Sequence, residues 1–217
     1  MTMLVLAAHP DDETLMAGGT IARARERGER VHVAVFCSAQ RADVADPGYQ
    51  AKKTAELTAA MEALGTSFEC YGFPDQALDT LPLIDLARAI ERSVAAVTPD
   101  LLVTHFSGDV NQDHRRVAEA TLVACRPVPG TPIRVEAGYV PSSSEWGATS
   151  FSPTVFRALN PRHVEKKLLA MRHYASELRR PPHPRSEEGI RTALAYFGSC
   201  VGVAYAEPFV LLRELCG

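Results

Sequence analysis

No run in this chain is apolar for long enough to cross a bilayer. The stretch from Ala193 to Ala206 carries Ser199 and two glycines and falls short of the about 20 residues that a membrane helix needs. A basic leader is also missing ahead of Met3-Leu4-Val5-Leu6-Ala7-Ala8, and no cleavage site follows, so this run reads as a first strand rather than a signal peptide. Positive charge is in short supply. Lys and Arg number 23 against 26 Asp and Glu, for a formal net charge of -3. That balance gives no excess for neutralising phosphates and speaks against nucleic acid as a partner, while leaving a local anionic partner open. The five cysteines (Cys37, Cys70, Cys125, Cys200, Cys216) form no C-x-x-C pair, and most sit in apolar segments where a reduced thiol behaves as a small hydrophobe. A reducing, cytoplasmic setting fits them. The G-x-G-x-x-G fingerprint of dinucleotide binding is absent, and Gly18-Gly19 points instead to close packing of a first helix on a sheet. Nor is there a repeat, a low-complexity tract or a linker long enough to divide the chain. At 217 residues, 46% hydrophobic and 23% charged, residues 1–217 are read as one domain with one substantial core.

What is present is an alternation. Short apolar or β-branched runs at Met3–Ala8, Val31–Cys37, Phe68–Phe73 and Leu101–Thr104 are each followed by a longer segment with apolar residues at helical spacing. One helical face carries Leu57, Ala60, Met61 and Leu64; the next carries Leu83, Ala87, Ile90, Val94 and Val97. Gly28 and Gly65 sit where helix C-terminal caps belong. Strands alternating with helices imply βαβ crossovers, hence an α/β fold with a mostly parallel sheet covered on both faces. The second half is less regular. Ile133–Val140 reads as a strand, a loop rich in Ser, Gly and Pro runs from Pro141 to Pro153, and Pro161 opens a helix whose face is Val164, Leu168, Met171, Ala175 and Leu178. That helix must stop before the proline-rich segment Arg179–Arg185, and Ser186 with Glu187 and Glu188 marks another helix start.

In an open parallel sheet, ligands collect outside the carboxyl ends of the strands. Two turns at such positions are rich in metal-ligand types: His9-Pro10-Asp11-Asp12-Glu13 after the first strand, and the segment from His105 through Asp109, Asn111 and Asp113 to His114 after the fourth. Acidic residues at helix starts also cap free N-H groups and complement the dipole, and this alone explains many Asp-Asp pairs. The pairing of the two turns at one sheet edge tips the balance. Two imidazoles and one carboxylate, with a fourth position open for water, make the kind of zinc site that hydrolytic enzymes use, although N and O ligands also suit iron, manganese or cobalt.

These turns, together with Glu56 and Ala59, Leu64-Gly65, Phe73-Pro74-Asp75, Phe151-x-Pro153, Lys166-Lys167 with Tyr174 and Ser176, and Tyr205-Ala206-Glu207-x-Phe209, resemble the LmbE/PIG-L family of N-acetyl-sugar deacetylases. The resemblance covers nearly the whole chain. It implies a Rossmann-like fold with a single zinc ion, removal of acetyl groups from N-acetylglucosamine conjugates, His9, Asp12 and His114 as metal ligands, and Asp11 as general base. The chemistry is sound: zinc lowers the pKa of bound water and polarises the amide carbonyl, and a neighbouring carboxylate takes the proton.

Departures from the family pattern bear on the rest of the site. Many relatives carry histidine where this chain has Asn111; an asparagine amide can donate to the developing oxyanion but cannot carry a proton or a charge. A second acid then has to come from elsewhere, with His183 in the proline-rich segment as a candidate. His105 can orient a ligand, or be a satisfied strand-end side chain. Lys53 stands where relatives often have an arginine tied to substrate binding; it keeps the charge and loses the bidentate fork, and a solvated surface lysine is the plain alternative. Asp75 is placed to accept from sugar hydroxyls or simply to form a turn. Trp146 is placed to stack on a sugar ring or to anchor its loop, and Arg115 and Arg116 read as solvent-facing or substrate-edge charges.

The leading expectation is a zinc amidohydrolase acting on a small N-acylated amino sugar, without nucleic acid or membrane partners and with homo-oligomerisation left open. A non-catalytic sugar- or nucleotide-binding module is one rival, and a metal-dependent phosphoesterase is another, disfavoured because many such enzymes use two metals where one constellation is visible here.

Overall fold

The computed structural model describes residues 1–41, 47–128 and 130–216. The elements run in the order β1 (Thr2–Ala7), α1 (Asp12–Glu26), β2 (Arg30–Arg41), α2 (Pro47–Leu64), β3 (Ser67–Asp75), α3 (Leu83–Val97), β4 (Leu101–His105), α4 (Gln112–Ala124), β5 (Arg134–Gly138), β6 (Val155–Leu159), α5 (Pro161–His173), α6 (Glu187–Ser199) and β7 (Tyr205–Glu214). The seven strands form one sheet in the order β3-β2-β1-β4-β5-β7-β6. The first five pair in parallel, and β7 runs antiparallel to both of its neighbours.

Strand β1 is apolar on both faces because both faces are covered, as a parallel sheet requires. Met3, Val5 and Ala7 enter a core built with α1, α2, α5 and α6, whereas Leu4, Leu6 and Ala8 enter a second core with α3 and α4. From β1 the chain winds outward through β2 and β3 on one side, then crosses back to β4 on the other side of β1. The strand order therefore reverses between β1 and β4, which are paired at Met3↔Leu101 and Val5↔Val103. This is the crevice where open α/β sheets place ligands.

The α/β expectation holds, with both helix-covered faces. Gly28 and Gly65 do end α1 and α2, at φ +73° and +69°. Asn160 and Pro161 open α5, and Ser186 Oγ accepts the Gly189 N-H at 3.0 Å to open α6. Two corrections concern the second half. Helix α5 ends at His173 rather than continuing to Leu178, because Tyr174 leaves helical geometry and turns its ring into the core. Strands β6 and β7 were not foreseen as strands. Both are short-range neighbours of helices, and the charged residues Arg157, Glu207 and Arg213 along them mask any alternation.

The reading of Gly18-Gly19 as a close approach is correct. A Cβ at Gly19 would lie 2.4 Å from Leu159 Cδ1 on β6 and 3.1 Å from Glu207 Oε1 on β7. The buried Glu207 carboxylate accepts the Gly19 N-H at 2.8 Å, the Thr20 N-H at 2.6 Å and Lys167 Nζ at 2.7 Å, joining α1, α5 and β7 in one contact. We expect Gly19→Val to lower stability by about 1–3 kcal/mol through overpacking, read as a reduced urea midpoint with an unchanged slope.

Candidate metal centre

The turn after β1 is strained. Asp11 adopts φ +124°, a conformation that non-glycine residues rarely take and that costs on the order of 1–3 kcal/mol. Its backbone N-H is caught by Glu13 Oε2 at 3.1 Å, and the other oxygen of the buried Glu13 accepts Thr14 Oγ1 and Tyr174 Oη, each at 2.7 Å. Asp11 precedes α1, yet its side chain makes no capping hydrogen bond. The carboxylate turns instead to Arg185, with Nη1 at 3.1 Å from Oδ2. The plain helix-capping account of this acidic turn therefore fails for Asp11.

Next to it, Asp12 Oδ2 accepts the His9 N-H at 2.9 Å and lies 3.1 Å from His9 Nδ1 and 3.2 Å from His114 Nε2. His9, Asp12 and His114 each offer a ligand atom, all within 4.8 Å of one another. His9 comes from the end of β1 and His114 from the first turn of α4, so the strand-order reversal brings together residues more than 100 positions apart. His114 is fully enclosed, and neither ring nitrogen has a hydrogen-bond partner. At 3.2 Å from Asp12 its Nε2 is near enough for a contact but not aligned for a hydrogen bond. A buried imidazole nitrogen facing a carboxylate without a hydrogen bond fits a cation held between them, and this donor set can hold a metal ion.

The other nitrogen of His9 is fixed independently. Nε2 lies 3.0 Å from Asp113 Oδ2 and 3.1 Å from Asp75 Oδ1. Asp113 is itself held by the N-H groups of Gln76 at 2.7 Å and Leu78 at 3.1 Å. Cys37 joins His9 and Asp113 as a second group of possible donors, but burial pushes its thiol up to about 11, which disfavours the thiolate that metals bind. Asp109 plays the corresponding part at His114, with Oδ1 3.2 Å from Nδ1 and Oδ2 accepting the hydroxyls of Ser143 and Ser144.

His105 lies beneath. Its ring stacks on His114 at 4.0 Å between centroids and 17° between planes, and its Nε2 accepts the Ala8 N-H at 2.8 Å. Burial, aided by the neighbouring His114, lowers its pKa to about 3, so it stays neutral and supports the site by packing. Burial raises Asp11 well above the usual carboxylate range; the Arg185 charge opposes that rise, and Asp12, Glu177 and Glu13 add to it. Asp12 moves the other way: burial would raise it, but the charge of the adjacent His114 and the hydrogen bond of His9 hold it well below.

The remaining sequence candidates are distributed unevenly. Asn111 caps α4, its Oδ1 accepting the Asp113 N-H at 2.9 Å, which leaves its amide N-H groups free to donate. Asp75 contacts His9, so it meets the centre through that ring. Lys53 corrects the expectation of an open substrate-gripping cation: it is only 2% exposed, bonded to Ser176 at 2.6 Å and to Glu177, with Glu56 at 3.6 Å. His183 is likewise not the group that reaches Asp11. Its Nδ1 accepts the Arg185 N-H at 3.0 Å, and it is Arg185 that points into the centre. Trp146 is 77% exposed and anchors nothing. Sequence reasoning passed over Arg185 and Glu177, and it placed Asp109 in the ligand-rich turn without a role of its own. A charged residue in a proline-braced loop was the available signal for Arg185; for Asp109 it was an acid five positions before a candidate ligand.

Two openings meet at the Pro181–Ser186 segment. A polar cavity of about 440 Å³ is lined by Gln76, Asn111, Gln112, Ser142, Ser143 and Arg185 among others. A larger one of about 1020 Å³ is apolar, with Tyr139, Phe151, Phe156, Pro182, Tyr196 and Phe197 in its walls.

The sequence profile described as "PIG-L: GlcNAc-PI de-N-acetylase" matches residues 4–125, more than half of the chain and both ligand-bearing turns. The chain belongs to the PIG-L family. Among PIG-L relatives, it is 26% identical to the "Uncharacterized deacetylase YaiS" of Escherichia coli K12 over 184 residues, covering 80% of this chain and 90% of that one. It is 32% identical to the 1D-myo-inositol 2-acetamido-2-deoxy-alpha-D-glucopyranoside deacetylase of Kineococcus radiotolerans, over 64% of this chain and 48% of that protein. The chain thus spans about half the length of the latter. The N,N'-diacetylchitobiose deacetylase of Pyrococcus horikoshii shares the PIG-L fold at a TM-score of 0.78, with 18% identity over 98% of this chain and 84% of that one.

The enclosed Tyr174–Glu13 hydrogen bond gives a direct test of the strained turn. Tyr174→Phe leaves a buried Glu13 oxygen short of one donor and is expected to cost about 1–3 kcal/mol, measured by denaturant unfolding.

Proposed function

We propose that this protein is a zinc-dependent hydrolase that removes an acetyl group from the amide nitrogen of an N-acetylated amino sugar, such as an N-acetylglucosamine conjugate. His9, Asp12 and His114 hold the ion, and other divalent transition metals suit the same donors. The observation that carries this reading is the unbonded, fully buried His114 Nε2 facing Asp12, with the uncapped Asp11 carboxylate beside them. The deacetylase relatives support the same reaction class.

When bound, the ion supplies Lewis acidity, activating water and polarising the amide carbonyl. The chain's own residues do the rest. Asp11 accepts a proton from water as the water oxygen bonds to the carbonyl carbon. It then returns that proton to the nitrogen as the C–N bond breaks, so amide and water become acetic acid and amine, which at neutral pH exchange the acid proton to give acetate and ammonium. A carboxylate whose proton affinity is raised by burial suits both halves of this shuttle. Asp113 and Asp75 fix His9 through Nε2 and so aim Nδ1 at the donor cluster, while Asp109 Oδ1 sits 3.2 Å from His114 Nδ1, on the side of that ring away from the cluster. The capped Asn111 side chain presents its amide N-H groups toward the polar cavity, where the acyl oxygen gathers charge.

Acetate release from a panel of N-acetylated sugars, with zinc added and then chelated, tests the reading. Cleavage that survives chelation refutes the metal, and phosphate release in place of acetate favours a phosphoesterase. Asp11→Asn is expected to keep its metal by elemental analysis and to lose turnover by about 100-fold or more; full turnover in that variant removes Asp11 from its role.

A further inference from the structure

Arg185 has no part in the reaction as described so far, yet it is the cation that meets Asp11. Its side chain is 19% exposed and its guanidinium is held from two sides: Nη1 reaches Asp11 Oδ2 at 3.1 Å, and Nε reaches Ser142 Oγ at 3.2 Å and the Pro141 carbonyl at 3.4 Å. Three contacts on two nitrogens leave Nη2 without a hydrogen-bond partner among the described residues, in a side chain that lines the polar cavity together with Asn111. The backbone behind it is fixed as well, because the Arg185 N-H donates to His183 Nδ1 and its carbonyl accepts the Arg179 N-H at 3.3 Å. A long, flexible side chain has thus been given one orientation, with Nε and Nη1 occupied and Nη2 unpartnered at the wall of the cavity. A planar cation with rigidly spaced donors suits an oxygen that gains negative charge.

We propose that Arg185 is a catalytic residue of this centre: one edge of its guanidinium holds the base Asp11 in place, and the free Nη2 edge donates to the substrate's acyl oxygen as that oxygen becomes negative. The assignment rests on the deacetylase reading and names the group that supplies the fixed charge which Asn111 cannot carry. No proton leaves Arg185. It contributes charge and hydrogen bonds, while Asp11 moves the proton.

The test compares wild type with Arg185→Gln, Arg185→Lys and Arg185→Gly in the zinc-loaded protein. Arg185→Gln is expected to lower kcat by about 100-fold or more with KM, metal content and unfolding midpoint little changed, as for loss of an oxyanion donor. Arg185→Lys should retain part of the rate, and millimolar guanidinium should restore part of it to Arg185→Gly. A second readout needs no turnover: calorimetric affinity for methylphosphonate, a tetrahedral anion, should fall at least tenfold in Arg185→Gln. An Arg185→Gln variant with unchanged kcat and unchanged methylphosphonate affinity overturns the proposal, as does a loss that tracks metal content or unfolding. If wild type releases no acetate from any sugar, the deacetylase reading fails, and the methylphosphonate comparison still decides whether Arg185 is an anion donor.

Discussion

The buried carboxylate of Glu13 is the contact on which the centre depends. A chain leaving the end of β1 would ordinarily enter α1 with its first acid capping the helix. Here the backbone at Asp11 is forced to positive φ, and Glu13 offsets that strain by accepting the Asp11 N-H on one oxygen and two hydroxyl groups on the other. The result frees Asp11 from helix duty and separates it in direction from Asp12. Two adjacent, chemically identical side chains thereby acquire different partners, a guanidinium for one and two imidazoles for the other. Opposite pKa displacements follow from that division.

The sheet supplies the remaining precision. Because strand order reverses between β1 and β4, the first turn of α4 can reach across to the end of β1 without a long loop. His9 is held on the nitrogen away from the cluster by Asp113, itself tied to two backbone N-H groups, and Asp109, tied to two serine hydroxyls, faces the far nitrogen of His114. Asp12 and His114 sit in the first turns of α1 and α4, and His9 in the short turn between β1 and α1.

The alternation of apolar runs and helical faces was enough to place β1 to β5 and their helices: β1 and β4, covered on both sides, are mostly apolar, and β2, β3 and β5 keep apolar positions among their polar residues. Ligand-type residues at two strand ends were legible for the same reason, since the topology makes those ends neighbours; the choice of His9, Asp12 and His114 among them came from the family resemblance. Strands β6 and β7 were not legible, since both carry charged residues, and on the reversed strand β7 such a charge serves a buried contact, Glu207 with Lys167, rather than solvent. Lys53 misled because burial of its ammonium depends on Glu177, far away in sequence. Arg185 was hidden by its loop, where no periodicity links a residue to its neighbours in space, and the nearby His183 drew attention for its chemistry alone.

The split between the two halves of the chain reaches further. Residues 4–125, the part shared with the family profile, contain every side chain of the donor cluster, whereas Tyr174, Arg185 and Glu207 all come later. The later half therefore forms a collar around the donor cluster: residues between β5 and β7 such as Ser142, Ser143 and Arg185 line the polar cavity without supplying a donor. Its tether residues, Tyr174 on Glu13 and Glu207 on the Gly19 N-H, fasten that collar to the first half.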